Sequence, residues 1–134
     1  MLKILIDTNV LVSASIAKGP SYQILKEIII EKEVGLLCYS DAILQEYHKV
    51  AQYKRIQKKY PDYYEAVSNF LNKIQKAGKE FYPTVHFNLI ITDVSDNKFL
   101  ELAYAAKADY LITGNHTDFS IGEFKGTKII SPKK

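Results

Sequence analysis

The chain has 134 residues, of which 47% are hydrophobic and 25% charged, with a single cysteine. This composition excludes a disordered or fibrous chain and an internal disulfide framework, and the length suits one domain over residues 1–134 that can bury its own core. The formal net charge of +3, from 18 Lys and Arg against 15 Asp and Glu, says little by itself about partners.

Leu2 to Ile6 reads as a short, largely buried strand ended by the polar pair Asp7-Thr8. From Asn9 to Ala17 the apolar residues Val10, Leu11, Ala14 and Ala17 have helical spacing, and Lys18-Gly19-Pro20 breaks the pattern. Pro20 opens a second helix with the stripe Ile24, Leu25, Ile28 and Ile29. A second strand covers Leu36 to Tyr39, and Ser40 is a good N-cap for a third helix carrying Ile43, Leu44, Tyr47, Val50 and Ala51. Pro61 and Asp62 start a fourth helix that runs to about Lys76, with Val67, Phe70, Leu71 and Ile74 inward. Lys76 to Val85 reads as a turn, and Leu89-Ile90-Ile91 as extended chain. Asp96 opens a fifth helix with the stripe Phe99, Leu100, Leu102, Ala103 and Ala106. Asp109 to Thr113 and Lys128 to Ile130 are two further strands. Short apolar strands alternating with helices imply an α/β domain around a mostly parallel central sheet flanked by helices.

Cys38 lies in the apolar run Leu36 to Tyr39 and reads as a buried small hydrophobe. The start of the chain reads as a strand, not a secretory leader, and the apolar runs are too short to span a membrane; a cytoplasmic protein is the expectation.

The acids are the informative residues. In an open parallel sheet, ligands bind beyond the carboxyl ends of the strands. Asp7 follows the first strand; Asp93 and Asp96 follow the apolar run ending at Ile91; Thr113, Gly114, Asn115 and Asp118 follow the strand 109–113. Glu46 lies three residues from Ile43 and four from Val50, so it borders the core-facing side of its helix, where a carboxylate is costly unless paired or metal-bound. Asp7, Asp93 and Asp96 could each simply cap a helix and Asp118 could be a loop residue, but these readings leave Glu46 unexplained. Asp109, at the amino end of its strand, reads as structural. Converging carboxylates raise one another's pKa values, and a hard divalent ion such as Mg²⁺ or Mn²⁺ removes that conflict. Such an ion also suits phosphodiester hydrolysis. His48, His86 and His116 are scattered and form no zinc cluster.

From Tyr47 to Pro61 there is no acid, while Lys49, Lys54, Arg55, Lys58 and Lys59 are interleaved with Tyr47, Tyr53 and Tyr60. A basic helix with aromatic side chains suits a polyanion with stackable bases; a solvated helix face with packed tyrosines is the plainer alternative.

Four blocks resemble the PIN-domain family: Ile4 to Ala14 with its Asp7-Thr8-Asn9, Asp41 to Tyr47, Asp93 to Ala103, and Ala108 to Asn115. The nearest likeness is to toxins of bacterial and archaeal toxin–antitoxin pairs. The resemblance implies a three-layer Rossmann-like fold and a Mg²⁺- or Mn²⁺-dependent endoribonuclease. It further implies an RNA substrate, an antitoxin partner and homodimerisation. Carried over by position, Asp7, Glu46 and Asp96 are its acids, with Asp118 as the fourth and Asp93 as a further candidate. Asn9 and Thr113 match polar positions that help shape the site, and Thr8 and Asn115 are expected to orient waters or the phosphate beside them. Many relatives have an acid where Asn115 stands, which opens a second reading: a PIN-like module that binds RNA or protein without catalysis. A phosphatase of the haloacid dehalogenase type needs a second Asp where Asn9 stands.

Overall fold

In a computed structural model, residues 2–28, 35–86, 97–114 and 122–132 are described. The elements run β1 (Leu2–Ile6), α1 (Thr8–Ile16), α2 (Pro20–Lys26), β2 (Gly35–Tyr39), α3 (Asp41–Ala51), α4 (Lys54–Lys59), α5 (Tyr63–Ala77), β3 (Lys79–Glu80), α6 (Asn97–Ala106), β4 (Tyr110–Ile112), β5 (Glu123–Phe124) and β6 (Thr127–Ile130). The strands form one six-stranded sheet in the order β3-β2-β1-β4-β6-β5. Every pairing is parallel except that of β5 with β6. The α/β class and mostly parallel sheet expected from the sequence are therefore present.

The strand order locates the functional edge. The chain winds outward from β1 through β2 to β3, then returns to β1's other side as β4 and winds outward again. The direction of winding reverses between β1 and β4. The helices that leave neighbouring strands at such a switch point depart to opposite sides, and a crevice opens at the carboxyl edge. Asp7 ends β1 and Thr113 ends β4, so both stand at this point.

Helix α3 is fastened at two points by buried tyrosines. The Tyr47 hydroxyl donates to the Ile6 carbonyl at 2.6 Å, tying α3 to the end of β1. The Tyr63 hydroxyl donates to the Val50 carbonyl at 2.9 Å, which gives an end-of-helix acceptor a partner and docks α5. Ser40 caps α3 as expected, its Oγ accepting from the Ile43 N–H at 3.3 Å. The stripes read for α5 and α6 are buried: Val67, Phe70, Leu71 and Ile74 on one, Phe99, Leu100, Leu102, Ala103 and Ala106 on the other. α6 packs on β1 and β2, while α1 packs against α2, α3 and α5.

Two expectations are corrected. The segment Lys76 to Val85 is not only a turn: Lys79–Glu80 forms β3 beside Cys38 and Tyr39. Gly78 precedes it where a side chain has no room, since a Cβ would meet the Ile74 and Leu37 carbonyl oxygens at 2.6 and 2.7 Å. The basic segment is not one helix, because the chain leaves α3 at Gln52 and starts α4 only at Lys54. β5 went unpredicted. The extended run Leu89-Ile90-Ile91 lies outside the described residues.

Candidate active site at the carboxyl edge

Asp7 occupies the N-cap position of α1, with extended backbone angles, yet its side chain makes no regular capping hydrogen bond. It is instead 3% exposed and accepts a hydrogen bond from the Thr113 hydroxyl at 2.7 Å. Its backbone N–H donates to Ile112 O at 2.9 Å, which carries the β1–β4 ladder one residue past Ile6 and fixes where the carboxylate stands. Burial raises the Asp7 pKa above the ordinary carboxylate value, and the negative charge of Glu46 adds to the rise. The Thr113 hydroxyl and the neighbouring backbone N–H groups of Thr8 and Asn9 oppose it, holding part of the negative charge in place.

Glu46 sits where its helical phase put it, half-buried at the margin of the core, with its side chain 21% exposed. Its Oε2 accepts from the Thr8 hydroxyl, and its Oε1 is ion-paired with Lys98 of α6. Thr8 is therefore the link between the two acids: it follows Asp7 in the chain and holds Glu46 by its side chain. Thr8 and Thr113 are both buried, whereas Asn9 is exposed on the first turn of α1.

The structure thus brings together Asp7, Thr8, Glu46 and Thr113 from three separate segments. Asp93, Asp96, Asn115 and Asp118 lie outside the described residues. Among the described residues no group of three or more His, Cys, Asp or Glu side chains could hold a metal ion. The described part of the site offers two carboxylates, Asp7 and Glu46, whose oxygen chemistry suits a hard divalent ion, while both threonine hydroxyls are engaged in donating to them. Glu46 already has the Lys98 ammonium beside it, so a cation here would chiefly answer the buried Asp7.

Lys98 was missed by sequence reasoning. It neighbours the buried stripe residues Phe99 and Leu100, but its pairing with Glu46 depends on α3 and α6 being adjacent, which no local pattern encodes.

The basic cluster is not part of this constellation. Lys49 is exposed near the end of α3, and Lys54, Arg55, Lys58 and Lys59 are exposed on α4. Glu46 and Ala51 are separated by about 8 Å of helix axis, and α4 lies beyond that end. Tyr47 is no stacking platform: it is 1% exposed and bonded to Ile6. Tyr53 and Tyr60 are exposed. Cys38 is buried as expected, and burial pushes its thiol pKa up to about 11.

The fold and site define a doubly wound α/β domain with a carboxylate pair at its topological switch point. A PIN-domain family model matches residues 3–117, and the chain belongs to that family. PIN domains are generally nucleases and typically use divalent metals. No curated protein matches the chain. Among the described residues no helix is long and apolar enough to cross a membrane.

Proposed function

We propose that this chain is a divalent-metal-dependent endoribonuclease, a single PIN domain acting as the toxin of a toxin–antitoxin pair. The observation that carries the catalytic part is the buried Asp7, held by Thr113 at the switch point and coupled through Thr8 to Glu46. Asp7 and Glu46 would hold a Mg²⁺ or Mn²⁺ ion together with Asp96 and Asp118, with Asp93 as a further donor. When bound, such an ion polarises a phosphoryl oxygen, lowers the pKa of water and neutralises charge.

The chain's own residues do the positioning. Thr113 sets the rotation of the Asp7 carboxyl, and Thr8 does the same for Glu46. Lys98, ion-paired with Glu46, adds a positive charge at the margin of the site. Asn9, exposed beside Thr8, is free to orient the phosphate or a water, a task that Asn115 would share. Hydrolysis adds water across the P–O3′ bond, leaving a 5′ phosphate and a 3′ hydroxyl. Exposed Lys49, Lys54, Arg55, Lys58 and Lys59 would grip the RNA backbone away from the cut, which makes binding salt-dependent. A homodimer, an antitoxin partner and a cytoplasmic location belong to the same reading.

One observation favours the second reading, a PIN module without catalysis. Lys98 already supplies Glu46 with a positive charge, as a metal would. The two readings part on metal and RNA together. Purified protein is incubated with mixed single-stranded and structured RNA, with Mn²⁺, Mg²⁺ or chelator, beside Asp7→Asn and Asp96→Asn variants. Metal-dependent cleavage lost in both variants supports the nuclease. No cleavage and no Mn²⁺ binding by the parent protein overturns it.

A further inference from the structure

Beside the acidic pair, on the β2 side of β1, lies a recess of about 330 Å³. It is lined by the Phe81–Tyr82–Pro83 segment leaving β3, by Ser40 and Asp41 at the start of α3, and by His86, Lys98 and Glu101. The topology dictates its place. β2 and β3 are parallel to β1, so Ser40 and Phe81 leave the sheet at the same carboxyl edge as Asp7. The Phe81 N–H donates to Tyr39 O at 2.8 Å, holding the segment against β2 as it departs.

Two features identify the occupant. The first is the charge. The Lys98 ammonium is paired with Glu46, and His86 Nδ1 lies 3.3 Å from Glu101 Oε2, while Asp41 adds a carboxylate. These groups set three carboxylates against one ammonium and one imidazole, so the rim is acidic and does not suit a phosphate; its acceptor oxygens suit the N–H edge of a flat hydrogen-bonding group. The second is the aromatic wall. The Phe81 ring is covered by the Lys3 and Lys79 ammonium groups, 5.6 and 5.3 Å from its centre. Tyr82 is 76% exposed, the most exposed large apolar side chain among the described residues. An aromatic ring left in water beside a polar recess is what base stacking uses.

We propose that this recess receives one unstacked base of a single-stranded RNA, stacked on Tyr82, one or two nucleotides from the phosphate cut at the Asp7–Glu46 site. This rests on the nuclease reading for its second half only. Lys98 provides the continuity, since the same side chain lines the recess and pairs with Glu46. The pocket thereby selects single strands over duplex, because a stacked and paired base cannot enter it.

The test measures binding apart from cleavage. In the Asp7→Asn background, the affinity of a fluorescein-labelled 12-nucleotide single-stranded RNA of mixed sequence is measured by anisotropy. It is compared among the Tyr82 protein, Tyr82→Ala and Tyr82→Phe, and with RNAs carrying one abasic position walked along the strand. The expected result is a loss of about tenfold in Tyr82→Ala, retention in Tyr82→Phe, and a single abasic position that costs the Tyr82 protein about as much. That abasic loss is absent in Tyr82→Ala. Unchanged binding in Tyr82→Ala, an abasic loss equal in both proteins, or no RNA binding at all overturns the recess. Coupling between Tyr82 and one base in a chain whose parent form cleaves no RNA leaves the recess standing and removes the nuclease reading. Cleavage without the coupling does the reverse.

Discussion

Asp7 and Asp109 stand at opposite ends of the same pair of strands, and they answer the same backbone problem differently. Each donates its own N–H across the ladder, Asp7 to Ile112 O at 2.9 Å and Asp109 to Lys3 O at 2.8 Å. Asp109 then turns its side chain back to the ladder, where Oδ2 accepts from the Lys3 N–H at 2.8 Å. Its carboxylate is exposed and substitutes for the next residue of the strand pair. Asp7 leaves the ladder alone and points its carboxylate into the protein, where a threonine hydroxyl holds it and a second acid lies close enough to raise its pKa. An acid spent on the backbone is structural. An acid buried beside another acid, with its orientation fixed by a hydroxyl, is set up for a ligand.

Exchanging the two acids' fates is the strongest way to break this comparison. Asp7→Asn should reduce RNA cleavage by on the order of a hundredfold or more, the upper end of what even supporting groups of a metal site command. Its melting temperature should hold or rise, because a buried carboxylate is removed. Asp109→Ala should leave cleavage unchanged. A cleavage assay and a thermal melt on both proteins decide it: loss of activity in Asp109→Ala, or unfolding of Asp7→Asn, would dissolve the distinction.

Lys98 sharpens it. Lys98→Met removes the positive charge on Glu46, so Mn²⁺ should bind the protein a few-fold more tightly, in keeping with a partly solvated pair. Calorimetric titration of both forms measures this. Weaker Mn²⁺ binding in the variant would mean that Lys98 does not compete with the ion.

Two hydrogen-bond deletions should both cost stability, the buried one more, and separate on activity. Tyr47→Phe takes a fully buried donor from the Ile6 carbonyl, at a cost of about 1–2 kcal/mol, and loosens the residue preceding Asp7. Asp109→Ala takes an exposed acceptor from Lys3, at about 0.5–1 kcal/mol. Denaturant melts give both values, and cleavage should fall several-fold in Tyr47→Phe alone. Equal activities would show that Ile6 does not transmit position to Asp7.

What the sequence disclosed follows from which interactions are local. Asp7 and Thr113 were legible because each directly follows a short apolar run whose end is a strand end. Glu46 was legible from helical phase alone, since Ile43 and Val50 bracket it. The same phase put Tyr47 on the inward stripe, so the basic-aromatic reading of that residue was in conflict with its own neighbours. The break between α3 and α4 has no Gly or Pro to announce it. β3 and β5 are two residues each, Lys79–Glu80 and Glu123–Phe124, too short for any alternation to register. Lys98's partner and the recess around Tyr82 arise only when β3, α3 and α6 meet, and the resemblance pointed to neither.

The smallest expected effect joins the two ends of the sheet through Cys38. Burial raises its thiol pKa most, and the Asp109 carboxylate raises it slightly further, while Lys3 and Lys79 pull it down. Well below pH 9 the thiol is protonated in folded and unfolded chains alike. Between pH 9 and about 11 the unfolded chain loses this proton first, so the Cys38 contribution to stability is lost as pH rises. Cys38→Ala should therefore lose less stability across that window than the parent chain does. Alkylation of the native thiol by iodoacetamide at pH 8 should be slow, and Asp109→Ala should make it only marginally faster, because desolvation and not charge dominates. A large acceleration in Asp109→Ala would mean that this carboxylate holds the amino end of the sheet closed over Cys38, a heavier structural duty than the single bond to Lys3 implies.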